Sequence, residues 1–315
     1  MENQIFRTVL GDVPVAELGM ILPHEHLFTD LRGPDTFDYA QDDPGLVIET
    51  MKPYLAAAED AGVTGLIECS TVGVGRNIEI LRRLAEQTRI HIIAPTGIYK
   101  EAFTPKSFLH CTVDDLVQLW TEEITQSIED TPAKAGFIKI AVSDDGPTKL
   151  EERNIRAAAR ASLATGAAIA SHTIGGRAVM EEIAFLVDEA LSLDKFIWVH
   201  AESEDDLSLH RQVADLGIYV EYDFIGQPNQ DPLAQVKKVR TMVEHNYGER
   251  LLLSHDAGWF QPGRPQGQPE GGMRGYTYIS DEFIPLLLAN GLDRETVKLL
   301  IETNPKRAFA VELTN

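Results

Sequence analysis

Met20-Ile21-Leu22-Pro23-His24-Glu25-His26 is a short apolar run that closes on two histidines one residue apart. Alternate residues of a strand face the same side, so His24 and His26 can aim two imidazoles into one space. Four later segments end in the same manner: Phe137-Ile138-Lys139, Ala168-Ile169-Ala170-Ser171-His172, Phe196-Ile197-Trp198-Val199-His200, and Leu251-Leu252-Leu253-Ser254-His255-Asp256. Strands that each end in a metal-competent group predict one barrel mouth lined with chemistry. A metal-dependent hydrolase is the expected class.

Three further apolar runs, Gly65–Cys69, Ile90–Ala94 and Tyr219–Tyr222, bring the strand candidates to eight. Helical patterns fall between them at 46–61, 77–87, 113–129, 154–164, 179–191, 204–216 and 233–247. This alternation predicts an α/β fold, a (β/α)8 TIM barrel, over two doubly wound domains. The first nineteen residues, broken at Gly11, Pro14 and Gly19, read as a short β prelude. No linker-like stretch interrupts the rhythm, so one domain spanning 1–315 is expected. One segment departs from it: Ala257–Tyr278, rich in Gly, Pro and Gln, reads as a long loop over the barrel mouth.

Hydrophobic residues make up 43% of the 315, ample for a packed core. A net charge of −21, from 28 basic and 49 acidic side chains, argues against nucleic acid, whose phosphates would be repelled. Cys69 and Cys111 are too few for a disulfide framework or a thiolate metal site. Neither a signal peptide nor an apolar run of transmembrane length is visible. The expectation is a soluble cytoplasmic protein that acts on a small molecule and engages no membrane.

A single His-x-His is weak, and one strand-terminal histidine is usually packing. Recurrence at five strand ends changes those odds. His24, His26 and Asp256 can serve one divalent ion, and His172 and His200 a second; imidazole and carboxylate suit zinc, with cobalt, manganese or iron as alternatives. Two neighbouring ions need a shared bridge, which an ammonium cannot provide. Lys139, between Ile138 and Ile140, would be desolvated toward its neutral form, which can capture carbon dioxide as a bridging carbamate. His255 either orients Asp256 and relays its proton or packs into the wall. His91 falls at the far end of its strand. His110, His210 and His245 are expected to be exposed.

At these residues the chain resembles the phosphotriesterase family of the amidohydrolase superfamily. The shared features are Leu22-Pro23-His24-Glu25-His26, Gly75-Arg76-Asn77, Thr96-Gly97-Ile98-Tyr99, Ile138-Lys139-Ile140, Ser171-His172-Thr173, His200, Ser254-His255-Asp256 and Asn304-Pro305. The resemblance implies His24, His26 and Asp256 on the more buried metal and His172 and His200 on the more exposed one. It further implies N6-carboxylated Lys139 and a nucleophilic hydroxide bridging both, and a homodimer. Tyr99 looks like the tyrosine of the lactonase branch.

A lactonase with promiscuous phosphotriesterase activity is therefore expected, with Asp256 as proton acceptor and Tyr99 as donor to the substrate. The alternatives are a phosphoric ester or N-acyl amide hydrolase, and a barrel that binds without turnover. Two departures bear on substrate: Phe224-Ile225 where many lactonases of acyl-homoserine lactones carry arginine, and Ala201-Glu202 after His200. The acidic run Glu202, Glu204, Asp205 and Asp206 either meets a cationic group or opens a helix capped by Ser203. Arg76, Lys100, Arg177, Arg264 and Arg274 fall on mouth loops and are candidates to hold a carboxylate or phosphate.

Overall fold

The structure is a computed structural model that describes residues 4–312; residues 1–3 and 313–315, the two ends of the expected domain, lie outside the described residues. An antiparallel hairpin, β1 (Gln4–Thr8) and β2 (Gly11–Pro14), forms the prelude, and a C-terminal strand, Val311–Glu312, pairs with β1. The barrel strands follow: β3 (Met20–Phe28), β4 (Val63–Glu68), β5 (His91–Ile93) continued after Ala94 by β6 (Pro95–Thr96), β7 (Phe137–Ala141), β8 (Ile169–His172), β9 (Phe196–Val199), β10 (Tyr219–Tyr222) and β11 (Leu251–Leu253). Neighbours in this order pair in parallel. The ring closes where the chain beyond β11 meets β3: Asp256 N–H donates to the His24 carbonyl at 3.2 Å, and His26 N–H to that of Ala257 at 3.0 Å. This is the (β/α)8 barrel that the strand–helix alternation predicts.

Seven helices, α1 (Pro44–Asp60), α2 (Ile78–Ala85), α3 (Val113–Thr125), α4 (Lys149–Thr165), α5 (Gly176–Asp188), α6 (Leu207–Asp215) and α7 (Pro232–Glu244), connect the strands. Local chemistry sets their ends. Asp43 caps α1, with Pro44 in its first turn, and Thr112 and Thr148 form capping boxes with Asp115 and Glu151. At α6 the cap is Asp206, which accepts from Ser208 N–H, so the helix starts three residues later than the acidic run suggests. Ser203 instead donates to the His200 carbonyl at 2.7 Å.

Strand alternation sorts the core into two sets. Leu66, Ile138, Ile140, Ile169, Trp198 and Leu251 face the helices. Ile21, Ile67, Phe137, Ala170, Ile197 and Leu252 face the barrel axis, where Phe6 and Phe309 plug the end away from the ligand candidates. Each fully buried residue of this kind contributes about 2 kcal/mol by transfer from water. Because Ile138 and Ile140 point outward, Lys139 points in.

Two expectations need correction. The segment after β11 is not a bare loop: β12 (Gly258–Phe260) pairs in parallel with β3, Gly258 opposite His26 and Phe260 opposite Phe28. Phe260 stacks on Phe28, ring planes 5° apart, and the Tyr276 hydroxyl donates to the His26 carbonyl at 2.6 Å. His210 is not exposed but fully buried, hydrogen-bonded to the Tyr222 hydroxyl at 2.7 Å and the Glu204 carbonyl at 3.0 Å. The polar spelling of α6 hides this, because His210 shares the helix's buried side with Val213 and Ala214 alone. His110 and His245 are exposed, and His91 opens β5.

Candidate metal centre

The strand ends bring His24, His26, Lys139, His172, His200 and Asp256 around one cavity of about 140 Å³, with Tyr99, Cys69 and Trp259 also in its wall. On one side His26 Nε2 lies 3.0 Å from Asp256 Oδ1, and His24 Nε2 lies 3.6 Å from the same oxygen. On the other, His172 Nδ1 stands 2.7 Å from His200 Nε2 and 3.0 Å from the Tyr99 hydroxyl. His24, His200 and Asp256 each present a donor atom within 4.8 Å of the others. Lys139 Nζ is buried between the groups and has no hydrogen-bond partner.

Backbone strain places two of these side chains. His200 and Asp256 adopt left-handed φ of 62° and 48°, conformations that non-glycine residues hold only when their surroundings enforce them. Asp223 enforces the first, accepting from His200 N–H at 3.1 Å and from its Nδ1 at 2.7 Å. Glu25 enforces the second by accepting from Ser254 Oγ, His255 N, His255 Nδ1 and Ala257 N on either side of Asp256.

Buried acceptors also fix the other imidazoles. His24 Nδ1 faces Glu221 at 2.9 Å and Asp223 at 3.0 Å, and His26 Nδ1 faces Ser70 Oγ at 2.9 Å. Contacts at Nδ1 leave the Nε2 atoms of His24, His26 and His200 directed into the cavity. Sequence reading finds the inward histidines and misses this outer layer. Glu25 was on display inside His-Glu-His, yet alternation alone turned it away from the metal candidates. Glu221 lies within a weak strand signal and Asp223 just beyond it.

Electrostatics follow the same division. Burial and the nearby Lys139 charge bring His24 down to about 4. Burial also holds His172 well below its ordinary value, aided by the charges of His200 and Lys139, so its lone pair stays free. Burial would lower His26, but its hydrogen bonds to Asp256 and Glu68 overcome that and raise it to about 10. Asp256 is lowered, burial notwithstanding, chiefly by the His26 hydrogen bond and the His24 charge. A divalent cation competes with the proton for such a pair. Nitrogen and oxygen donors in two groups with a partnerless buried amine between them fit two divalent ions. Burial, with the charge of Asp256, raises Tyr99 and keeps its hydroxyl a donor.

The structure does not bring His255 to this cavity. It is buried in the wall, Nδ1 on Glu25 at 2.6 Å, while its Nε2 accepts from Ile279 N–H at 2.9 Å. Glu202 is likewise internal, accepting from Phe224 N–H, and does not line this cavity. Phe224 lies against the His200 ring, centroids 5.0 Å apart.

A closed parallel barrel with histidines, an inward lysine and an aspartate at its strand ends defines a barrel hydrolase. The chain belongs to the phosphotriesterase family, whose model matches residues 4–309. It is 31% identical to the phosphotriesterase homology protein of Escherichia coli (strain K12), over 92% of this chain and 98% of that one. It is 28% identical to the aryldialkylphosphatase of Saccharolobus solfataricus, over 93% and 96%. A solved structure from the engineering of organophosphate hydrolysis activity out of a weak promiscuous lactonase template superimposes with a TM-score of 0.87 at 28% identity, covering 97% of this chain and 99% of the other. Among the described residues no helix is long and apolar enough to cross a membrane.

Proposed function

We propose that this chain is a binuclear-metal lactonase, a single catalytic domain over its full length, with phosphotriester hydrolysis as a slower second activity. Convergence of six side chains on one cavity, with Lys139 Nζ unpartnered among them, carries the reading. His24, His26 and Asp256 would hold one ion and His172 and His200 the other, zinc suiting this donor set. Lys139 would bridge them as a carbamate: its neutral amine attacks carbon dioxide, an N–C bond forms and a proton leaves. When bound, such a pair supplies a deprotonated water as nucleophile and polarises the substrate oxygen.

The protein's own groups do the rest. Tyr99 donates a hydrogen bond to the lactone carbonyl or ring oxygen as charge develops there. Asp256, with 22% of its side chain exposed, accepts the proton released at the nucleophile and returns it to the leaving alkoxide. His255 lies outside this route, because both its ring nitrogens are engaged in the wall. Trp259 and Leu31 offer apolar surface to a ring or alkyl substituent. Phosphoric ester hydrolysis is the second reading, favoured by the likeness to the aryldialkylphosphatase.

Metal analysis of the purified protein, then a screen of lactones, phosphotriesters and N-acyl compounds, tests the proposal. Two divalent ions per chain and the highest kcat/KM on a lactone are expected; a phosphotriester turned over faster than every lactone would reverse the order. Lys139→Ala should lose metal and activity together.

A further inference from the structure

Glu151 is fully buried in the first turn of α4, and its carboxylate takes four donors. Oε2 accepts from Thr148 N–H at 3.0 Å and Ser143 N–H at 2.9 Å. Oε1 accepts from Ser143 Oγ at 2.8 Å and Glu101 N–H at 3.0 Å. All four donors are uncharged groups. A buried carboxylate is tolerated only when donors surround it, and here they do. The cap of α4 accounts for one bond, from Thr148 N–H. The other three leave the helix and fasten the loop after β7 to the loop after β6.

Those loops lead straight to the cavity. Ser143 follows β7, the strand of Lys139, and Glu101 opens a short turn, Glu101–Phe103, just past Tyr99. The turn hands the constraint back to the tyrosine. Phe103 sets its ring edge against Tyr99, centroids 5.6 Å apart, and its carbonyl lies so near Gly73 that a Cβ there would stand 2.3 Å from it. Tyr99 in turn meets the His172 ring at 5.2 Å and puts its hydroxyl 3.0 Å from His172 Nδ1. Lys100 and Asp144, 2.6 Å apart, tie the same two loops, but Asp144 is exposed and solvent weakens that pair. The buried tie is the one that can hold a register.

We propose that Glu151 is a positioning residue for Tyr99, fixing the loop after β6 against the strand of Lys139 so that the tyrosine hydroxyl reaches the substrate oxygen. The assignment rests on the role given to Tyr99 in the lactonase reading, and extends it to a side chain outside the cavity.

Glu101→Pro tests this with least disturbance. Lys100 holds φ −52° and ψ 154°, which a following proline favours, and Glu101 begins its turn, where proline fits. The substitution deletes the N–H given to Oε1 and leaves the α4 cap alone. Glu101→Ala keeps that N–H and separates the bond from the exposed side chain. In metal-replete protein Glu101→Pro and Glu151→Gln should each lower lactone kcat about tenfold, with KM and metal content little changed. In a Tyr99→Phe background each should cost less than about twofold, because the hydroxyl they position is gone. Should Glu151→Gln fail to fold, Glu101→Pro decides alone. The fluorine NMR signal of 3-fluorotyrosine placed at position 99 reads the position without turnover: it should shift or broaden in Glu101→Pro and hold in Glu101→Ala. If it moves while no lactone is hydrolysed, or while Tyr99→Phe leaves turnover untouched, Glu151 positions the tyrosine and the lactonase reading of Tyr99 fails. Where Tyr99→Phe does impair lactone hydrolysis, equal losses with and without the hydroxyl would overturn the proposal. So would equal losses for Glu101→Ala and Glu101→Pro, or an unmoved signal in Glu101→Pro, leaving Glu151 as a helix cap.

Discussion

Replacing Glu25 by glutamine changes one buried atom and should loosen the turn that carries Asp256. The carboxylate takes four donors: Oε1 from Ser254 Oγ at 2.8 Å, His255 N at 3.0 Å and His255 Nδ1 at 2.6 Å, and Oε2 from Ala257 N at 3.0 Å. An amide turned to keep its oxygen on the first three sets an NH2 against the Ala257 N–H. One orphaned buried donor costs about 1–3 kcal/mol, and the bonds that remain lose their charge assistance, for roughly 4 kcal/mol in all. With an unfolding entropy of about 2.1 cal/mol/K per residue, 315 residues give about 0.66 kcal/mol/K, and Glu25→Gln should lower Tm by about 6 °C. Since Asp256 holds a left-handed φ between two of the bonded residues, metal content should fall as well. Melting curves of metal-loaded and metal-depleted protein, with metal counted by mass spectrometry, read both effects. A Tm within 1 °C of the parent and full metal content would refute the account of Glu25 as the clamp on this turn.

Tyr99→Phe should depress lactone kcat/KM about a hundredfold, as loss of a positioned donor does, and phosphotriester kcat/KM less; steady-state kinetics on both classes decides it. Gly97→Ala should fail to bind metal at the parent stoichiometry: at φ +109° its Cβ would stand 2.0 Å from the Lys139 carbonyl oxygen, so β7 must shift. Acid should expose His210, which burial brings down to about 4 although the Glu204 carbonyl opposes the shift. Its folded value lies below the ordinary ~6.5, so the unfolded chain takes the proton first. The stabilisation is complete above ~6.5 and is lost as pH falls toward 4, about 3 kcal/mol at most. His210→Gln should therefore lose less Tm than the parent between pH 7 and 4.5; equal losses would contradict this.

The barrel was legible because its signals are periodic. Ile138 and Ile140 flank Lys139 with a two-residue rhythm, and that rhythm alone turns the lysine inward. The inner layer was legible for the same reason, since histidines at strand ends point where strand ends point. The supporting carboxylates follow no period. Asp223 sits one residue beyond β10, and of its partners His200 follows the neighbouring strand β9, while His24 comes from β3, which only the closed ring brings near. His210 was misread because a helix's buried side is judged from apolar spelling, and here a hydrogen-bonded imidazole fills it. β12 was hidden by its three-residue length and by the Gly- and Pro-rich run behind it; only pairing with β3 makes Gly258–Phe260 a strand.

Both feet of the mouth segment stand on one strand, Gly258–Phe260 beside His26 and Phe28, and Tyr276 on the His26 carbonyl. Residues 261–275 between them form a cassette, free to change length and composition without moving the histidines beneath. Arg274 belongs to this replaceable part, and His26 to the permanent one. Substitutions within the cassette reach a recess beside Trp259 without touching either foot. The same division marks where a graft from a relative should be cut.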